Sequence, residues 1–413
     1  MSKVWQCVKI RLYFLRGDVM AKKENYIFSD KIANLKPSLI REILKSTSDP
    51  DTISLAAGNP APDAFPVESI SKIAADIFRE DPIGALQYGI TEGYQPLIDE
   101  LKEYLKNKYQ MGEEFDSLII TSGATQIMEL LTKVLCNEGD YVACEDPSFI
   151  GSLNCFRSYG TKLCGVPMEA DGIDVLALEE LLKSNGKVKF LYTIPNFQNP
   201  TGYTMSLEKR KKVYELASKY DVLVLEDNPY GDLRTSGEDL PTIKSFDTEG
   251  RVIYAGTFSK LIAPGIRVGY VLGPNAIVSK MTVGKQTEDV HTAMFNQMLV
   301  YRWMKENDIN EHIKNMQNIY RNKLKVMTAA LDEYCSKLEY VCPEGGMFVW
   351  CKLPDEINMM DFCRKAAENK VAVVPGIAFL TDETADTQYI RLNFSTPTDE
   401  DMVKGIKILG ELL

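Results

Sequence analysis

Short apolar segments with high β-propensity alternate with helical segments through much of the chain, and this alternation constrains the fold more than any other feature. The segments that we predict as strands lie at residues 118–121, 141–144, 189–193, 222–226, 252–256 and 269–272. Helices are predicted between them, for example at residues 127–135 and 207–220. Such an alternation favours a mostly parallel sheet with helices on both faces. Ligands of these sheets bind beyond the carboxyl ends of the strands, so the residues that follow each strand are candidates for a functional site.

The C-terminal part of the chain shows a different pattern, which indicates a second and smaller domain. Its predicted elements are helices at residues 288–305, 309–338 and 360–369 and strands at residues 345–350, 371–374 and 388–395. A chain of 413 residues is long enough for two domains. We therefore predict a large domain at residues 66–304 and a small α+β domain at residues 305–413.

Two segments are predicted ahead of these domains. Residues 30–65 form an arm that contains an amphipathic helix, with a start signal at Pro37 and Ser38. Residues 1–29 form a tail that is either disordered or the product of an incorrectly assigned start, because Met20 precedes a more ordinary opening.

Composition excludes several classes of function. The net charge is −11 and no basic stripe occurs, so we expect no nucleic-acid partner. No apolar run is long enough to span a membrane, so we expect no membrane association. The nine cysteines show no metal-ligand spacing, which predicts reduced thiols, a cytoplasmic protein and no metal site. Two histidines are too few for a histidine-rich metal centre and make a Ser/His/Asp hydrolase hard to build.

Lys260 occupies the chemically most informative of the strand ends. It follows the strand at residues 252–256 within the segment Thr257-Phe258-Ser259-Lys260. A lysine among apolar neighbours loses part of its preference for the charged form, and a neutral amine can form a Schiff base with an aldehyde. Thr257, Ser259 and Arg267 are donors for a phosphate nearby. This combination points to pyridoxal 5′-phosphate (PLP), although this segment alone fits a surface lysine equally well.

A phosphate site is also indicated by the turn after the first strand of the predicted sheet. This turn contains Ser122, Gly123, Ala124 and Thr125 at a strand-to-helix junction. The backbone N–H groups of a helix N-terminus favour a phosphate, and a glycine allows close approach. Taken alone, the turn is more simply interpreted as an ordinary helix cap.

Other strand ends carry groups that suit a flat, protonated heterocycle. Asp227 can pair with a pyridine nitrogen, and Tyr230 can donate to a ring oxygen. Asn199 is an amide held between a strand end and a proline, and Phe149 can stack on a ring. Each residue has a simpler interpretation as part of a turn or of the core. Together with Lys260 they occur in one order, each after a strand, and this order favours a PLP site.

With these residues the chain resembles the fold-type I PLP enzymes, in particular the class I/II aminotransferases, and it is similar to their 2-aminoadipate and kynurenine-type branch. The similarity extends from about residue 30 to the C-terminus. The motifs that carry it lie at residues 38–45, 57–62, 86–89, 91–93, 199–202, 227–230, 259–260 and 391–395. The resemblance implies an α/β fold, with a mostly parallel seven-stranded sheet between helices in the large domain and a smaller α+β domain. The arm would cover the active site.

The resemblance also implies a role for each candidate residue. Lys260 would bind the cofactor as a Schiff base and act as general acid and base in a 1,3-proton shift. Asp227 would pair with the pyridine nitrogen, Asn199 and Tyr230 would bind the ring oxygen, and Phe149 would stack on the ring. The phosphate would be held by the 122–125 turn, Thr257, Ser259 and Arg267. Tyr88 matches a position that reaches the phosphate of a neighbouring subunit, which implies a homodimer with shared active sites.

The substrate residues come from the same resemblance. Arg391 matches the residue that grips the α-carboxylate, with Asn199 and Gly58 beside it. Arg41 matches an arginine that can bind a distal carboxylate, but an ordinary helix-surface arginine is the simpler interpretation. The segment at residues 32–36 lacks the arginine of kynurenine-type members, so a kynurenine preference is not expected.

The activity implied is the transfer of an amino group between an L-amino acid (2-aminoadipate, aromatic or aliphatic) and a 2-oxo acid such as 2-oxoglutarate. Two alternatives stay open. Another PLP enzyme of this fold, such as a C–S β-lyase, would use the same cofactor residues. A non-catalytic effector sensor would carry a winged helix ahead of the fold, and the segment before Pro50 is too short for one.

Overall fold

The computed structural model describes residues 26–33, residue 35 and residues 51–413. Most of the predicted tail and much of the predicted arm, including Arg41, lie outside these residues. Residues 26–33 and 35 belong to a unit of their own, which contains a helix of four residues. The remaining described residues form one compact unit that contains all the strands.

The described residues contain fourteen strands and thirteen α-helices. The strands are β1 Ile53–Ser54, β2 Asp116–Thr121, β3 Tyr141–Asp146, β4 Lys162–Glu169, β5 Gly172–Ile173, β6 Val188–Thr193, β7 Leu223–Asp227, β8 Val252–Thr257, β9 Gly269–Pro274, β10 Glu339–Tyr340, β11 Phe348–Lys352, β12 Val371–Ala372, β13 Val374–Pro375 and β14 Tyr389–Asn393. The helices are α1 Asp30–Ala33, α2 Val67–Glu80, α3 Pro82–Leu86, α4 Gln95–Tyr109, α5 Ala124–Leu135, α6 Ile150–Ser158, α7 Val175–Ser184, α8 Leu207–Tyr220, α9 Asn275–Gln286, α10 Met294–Glu306, α11 Ile309–Tyr334, α12 Met359–Glu368 and α13 Asp399–Glu411. Short 3₁₀ turns lie at Pro62–Ala64, Lys244–Phe246, Pro264–Ile266 and Gly376–Phe379.

The central sheet has the order β2-β9-β8-β7-β6-β3-β4-β5. The neighbours from β8 through β4 are parallel, whereas β9 runs antiparallel to both β2 and β8. The predicted mostly parallel sheet of seven strands is confirmed, and the two-residue strand β5 extends it by antiparallel pairing with β4. Because β7 and β8 lie in the middle of the sheet, the residues that follow them meet at its centre.

Helices cover both faces of this sheet, which explains why its strands are apolar throughout. Adjacent residues of one strand pack into different hydrophobic clusters. Leu225 and Ile253 pack on one face, while Val224 and Val252 pack on the other, and all four are buried. A strand buried on both faces needs apolar residues at every position rather than at alternate ones.

A second sheet with the order β10-β11-β14-β13 is entirely antiparallel. Its central strand β14 places Arg391 opposite Trp350 of β11 and Val374 of β13. This sheet and helices α12 and α13 lie within the C-terminal segment that we predicted as a small domain. The exact boundaries of the domains stay a prediction.

Local conformation explains where the predicted helices begin. Asp308 caps α11 by accepting hydrogen bonds from the backbone N–H groups of Asn310 and Glu311, so this helix starts where it was predicted. The helix predicted at residues 288–305 begins later, as α10, because Val290 adopts a left-handed conformation with φ of 65°. Helix α9 and strand β4 were not predicted. No helix in the described part of the chain combines the length and the apolar character needed to cross a membrane.

Candidate active site

Lys260 lies in the turn that follows β8, near the centre of the main sheet. Its Nζ donates a hydrogen bond of 2.7 Å to the carbonyl oxygen of Gly58. Burial lowers the pKa of Lys260 to about 8, and the positive charges of Arg391 and Arg267 act in the same direction. A larger fraction of this amine is therefore neutral near physiological pH than for a solvated lysine, and the neutral form is the nucleophile.

Asp227 is the last residue of β7 and only 3% of its surface is exposed. Its Oδ2 accepts a hydrogen bond of 2.8 Å from the hydroxyl of Tyr192, which in turn accepts one of 2.9 Å from Ser152. Its Oδ1 is buried and has no hydrogen-bond partner among the residues that the structure describes. Burial raises the pKa of Asp227 to about 7, while the Tyr192 hydroxyl opposes this shift.

Arg391 is a buried guanidinium with 2% of its surface exposed. Its Nη1 donates to Asn199 Oδ1 at 2.9 Å, and its Nη2 donates to the carbonyl oxygen of Ala56 at 2.8 Å. The guanidinium carbon lies 4.1 Å from the ring centroid of Phe348 and 4.9 Å from that of Phe379. Its Nε is buried and has no hydrogen-bond partner among the described residues. Burial also lowers the pKa of Arg391 to about 10.

The segment that follows β1 connects these two cations. It accepts the hydrogen bond of Arg391 at Ala56 and that of Lys260 at Gly58. The Asn199 side chain links the same cluster to Tyr230, because its Nδ2 donates to the Tyr230 hydroxyl at 3.3 Å. Burial raises the pKa of Tyr230, so its hydroxyl stays protonated. Four predicted site residues and the backbone of Gly58 thus form one connected group.

A second group of predicted residues surrounds the turn between β2 and α5. Arg267 Nη2 donates to the carbonyl oxygen of Ser122 at 3.1 Å, and its Nη1 donates to Ser259 Oγ at 3.3 Å. Thr257 Oγ1 donates to the same Ser259 hydroxyl at 3.0 Å. Gly123 has φ of 87°, a left-handed conformation that favours glycine, and a Cβ there would lie 2.1 Å from Arg267 Nη2. A cation and hydroxyls at a helix N-terminus suit an anion.

Helix α5 begins at Ala124, and no side-chain hydrogen bond caps its start at Gly123 within the described residues. Thr125 is exposed on its first turn. Ser122 differs from the other residues of the turn, because its hydroxyl donates to Asp289 Oδ2 at 2.6 Å. The structure therefore directs this hydroxyl into the protein.

The described hydrogen bonds and ring contacts do not connect Asp227, Phe149 or Tyr88 with either group. Phe149 is half-buried just before α6, and its ring lies 2.6 Å from the position that a Cβ of Gly151 would occupy. Tyr88 is 81% exposed, and its ring contacts the edge of His291 with centroids 5.7 Å apart. The roles of Phe149 and Tyr88 stay predictions.

Comparison with known proteins identifies the family. The profile of the family "Aminotransferase class I and II" matches residues 50–409. The chain belongs to the class I and II aminotransferases. The aromatic-amino-acid aminotransferase 1 of Thermococcus litoralis is 40% identical over 391 residues, which are 94% of this chain and 94% of that relative.

Solved structures place this aminotransferase in the branch that its motifs indicated. The kynurenine aminotransferase of Pyrococcus horikoshii, solved with PMP, superposes with a TM-score of 0.90 and is 39% identical, covering 94% of this chain and 96% of that one. The α-aminoadipate aminotransferase of Thermus thermophilus, solved with N-(5′-phosphopyridoxyl)-L-leucine, has a TM-score of 0.85 and 36% identity, covering 94% and 97%. The resemblance to this branch and the fold type I architecture are confirmed, and the cofactor of this aminotransferase is PLP.

The side chains of the aminotransferase fit this cofactor at both ends. The buried oxygen Asp227 Oδ1, which no described residue satisfies, suits a protonated pyridine nitrogen. Lys260 presents a buried amine with a lowered pKa, as an amine that reacts with an aldehyde needs. The turn at Gly123 with Arg267 beside it suits the phosphate.

Three polar residues that support this site were not recognised from the sequence. Tyr192 and Ser152 hold Asp227, as described above. Glu145 is fully buried, and its carboxylate accepts hydrogen bonds from the side chain of Gln198 at 3.1 Å and from Thr193. Gln198 precedes Asn199, so Glu145 fixes the loop that presents the Asn199 amide. A tyrosine and an acid within otherwise apolar strands were the available signal.

Proposed function

We propose that this aminotransferase transfers an amino group between an L-amino acid with an aromatic, aliphatic or 2-aminoadipate side chain and a 2-oxo acid such as 2-oxoglutarate. The observation that carries the proposal is the buried guanidinium of Arg391, which lies in the same connected group as Lys260. A buried cation needs an anionic partner, and a planar guanidinium suits a carboxylate. The relatives named above support the range of side chains.

The proposed roles follow from the contacts of each residue. PLP supplies an electron sink when it is bound. Asp227 Oδ1 would accept a hydrogen bond from the protonated pyridine nitrogen, and Tyr230 with Asn199 would bind the ring oxygen. Lys260 Nζ would remove the proton from the substrate Cα, since its lowered pKa leaves a base at neutral pH. Arg391 would hold the α-carboxylate and so orient the Cα–H bond.

The phosphate would be held by the N-terminus of α5, Arg267, Ser259 and Thr257. The cation Arg267 and the helix dipole both favour a dianion at this place. Phe149 would stack on the ring of the cofactor.

A homodimer in the cytoplasm completes the proposal. Tyr88 would reach the phosphate of the neighbouring subunit, which explains an aromatic side chain with 81% of its surface exposed. Other apolar side chains near it in the chain are exposed as well, including Ile83 at 71%, Leu86 at 72% and Ile90 at 58%. Several exposed apolar side chains within one short segment are typical of an interface.

A screen of amino donors tests the activity. Purified holoenzyme is mixed with single L-amino acids and 2-oxoglutarate, and glutamate formation is measured together with the visible absorption of the bound cofactor. We expect aromatic, aliphatic and 2-aminoadipate donors to form glutamate and to change this absorption without an acceptor. A cofactor spectrum that no amino acid changes would contradict the proposal. Release of pyruvate and ammonia from cystathionine without an acceptor would favour a β-lyase instead.

A further inference from the structure

Lys285 is a lysine that is buried completely, at the C-terminal end of α9 and outside the groups described above. Its Nζ donates to Asp289 Oδ1 and Oδ2 at 2.8 and 2.9 Å, to Thr292 Oγ1 at 3.0 Å and to Gln126 Oε1 at 2.8 Å. A buried ammonium group needs a charged partner and further acceptors. Asp289 supplies the charge, and the two other side chains complete the set.

All three acceptor side chains contact Ser122 in the turn between β2 and α5, and Thr292 Oγ1 lies 3.1 Å from the Ser122 hydroxyl. Asp289 Oδ2 accepts from the Ser122 hydroxyl at 2.6 Å, and Gln126 Oε1 accepts from the Ser122 backbone N–H at 2.8 Å. The carbonyl oxygen of Ser122 accepts from Arg267. Each polar group of Ser122 thus has a partner inside the protein, so this residue is held from three directions next to Gly123.

We propose that Lys285 and Asp289 are positioning residues for the cofactor phosphate, which act through Ser122 and Gln126 on the start of α5. The inference rests on the proposed placement of the phosphate at this turn. The lysine and the aspartate together carry no net charge, so their effect on a bound phosphate is mainly geometric. They hold the residue before Gly123 and thereby aim the first N–H groups of α5.

The ion pair of Lys285 and Asp289 also affects the electrostatics of the phosphate site. A carboxylate near a phosphate repels it unless a cation neutralises the carboxylate. Burial raises the pKa of Asp289, but the hydrogen bonds and the charge of Lys285, together with Ser122, outweigh it, and the resulting pKa is lowered. Asp289 is therefore ionised, and removal of Lys285 would leave its charge uncompensated beside the phosphate site.

The test compares two ligands that differ only in the phosphate. Apoprotein is titrated with PLP and, separately, with pyridoxal, and the dissociation constants are measured from the visible absorption. For Asp289→Asn we expect PLP affinity to fall about tenfold, because the weaker hold on Ser122 outweighs the attraction of the then uncompensated Lys285 for the phosphate. Pyridoxal affinity should stay within about twofold, because the ring and aldehyde sites are untouched. Lys285→Met should lower PLP affinity more, by about a hundredfold.

Asp247→Asn is the matched control. Asp247 forms a buried pair with Lys244 at 2.8 Å, and the contacts of this pair lie outside the phosphate turn. The control should leave the ratio of PLP to pyridoxal affinity unchanged even if it lowers the melting temperature of the apoprotein. If Lys285→Met does not fold, Asp289→Asn carries the test.

The outcomes separate this inference from the proposed site. Equal losses for PLP and pyridoxal, or no loss for either, would overturn the positioning role while wild-type protein still prefers PLP. If wild-type protein binds PLP and pyridoxal equally well, the phosphate site itself is misplaced, and the inference fails with it.

Discussion

The proposed active site has two ends, one for the cofactor ring and one for its phosphate, and these ends differ in how their buried charges are partnered. At the ring end, Lys260 is buried with a single carbonyl partner and has Arg391 and Arg267 as its charged neighbours. Asp227 Oδ1 and Arg391 Nε have no partner in the part of the chain that the structure describes. At the phosphate end, by contrast, Lys285 has a carboxylate and two further acceptors.

This difference indicates what each region does. Unpartnered buried charges cost free energy, and a fold retains them where a ligand supplies the missing partner. Fully partnered charges stabilise one geometry and leave nothing for a ligand to complete. We therefore infer that the ring end carries the chemistry and the phosphate end supplies a rigid anchor.

The largest expected effect is on activity at the ring end. Lys260→Ala should reduce amino transfer by about 10⁴-fold or more, because it removes both the nucleophile and the base. The measurement is glutamate formation from 2-oxoglutarate, with the exposed Lys280→Ala as control. Activity within tenfold of wild type in the Lys260 variant would refute its assignment.

The two buried lysines should have opposite effects on stability. Because the pKa of Lys260 is lowered from 10.5 to about 8, its charge destabilises the folded apoprotein below pH 8. Lys260→Met should therefore raise the free energy of unfolding at pH 7 by about 1–2 kcal/mol. Lys285→Met should lower it by about 2–4 kcal/mol, because Asp289 loses its partner.

Urea denaturation of the apoproteins measures both changes. Wild-type stability should also gain as the pH rises from about 8 toward 10.5, where the unfolded chain binds more protons than the folded one. This gain should be smaller in Lys260→Met, where only the lowered pKa of the buried Lys285 still contributes to it. Changes of the same sign in the free energy of unfolding of the two variants would contradict the proposed difference between the two ends of the site.

A substitution of Tyr192 tests how the ring end sets the pKa of Asp227. The Tyr192 hydroxyl lowers the pKa of Asp227, so Tyr192→Phe should raise that pKa above about 7. In the proposed site, PLP binding to the apoprotein would need the Asp227 carboxylate and would weaken as the pH falls through this pKa. The midpoint should move to higher pH in the variant, by about one unit. An unchanged midpoint in titrations from pH 5 to 9 would show that Tyr192 does not act on Asp227.

The smallest effect is expected at Ser152, which is one hydrogen bond further from Asp227 than Tyr192 is. Ser152 donates to the Tyr192 hydroxyl and makes that hydroxyl a better donor to Asp227. Ser152→Ala should shift the same midpoint in the same direction but by less, with a change in PLP affinity of about twofold. A shift larger than that of Tyr192→Phe would require another route from Ser152 to the cofactor.

Much of the fold could be predicted because its pattern is local. Helix α8 spans the predicted residues, since Ser206 Oγ caps its start by accepting a hydrogen bond of 3.4 Å from the Lys209 backbone N–H. Strands β7 and β8 were predicted from continuous apolar runs. Strand β4 was missed, because exposed and buried side chains do not alternate along it. The start of α10 was missed because the conformation of Val290 depends on its surroundings.

The sequence by itself determined the family, the strand ends and the identity of Lys260, Asp227 and Arg391 as the residues to examine. These depend on residue type and order along the chain, which are visible without coordinates. Only the tertiary structure decided which atoms have hydrogen-bond partners. Tyr192 donates to one carboxylate oxygen of Asp227, while the other oxygen has no partner among the described residues. The Ser122 hydroxyl donates to Asp289. Hydrogen bonds and desolvation act over a few ångströms in space, between residues that are 35 and 167 positions apart in the chain, and local sequence carries no record of such contacts.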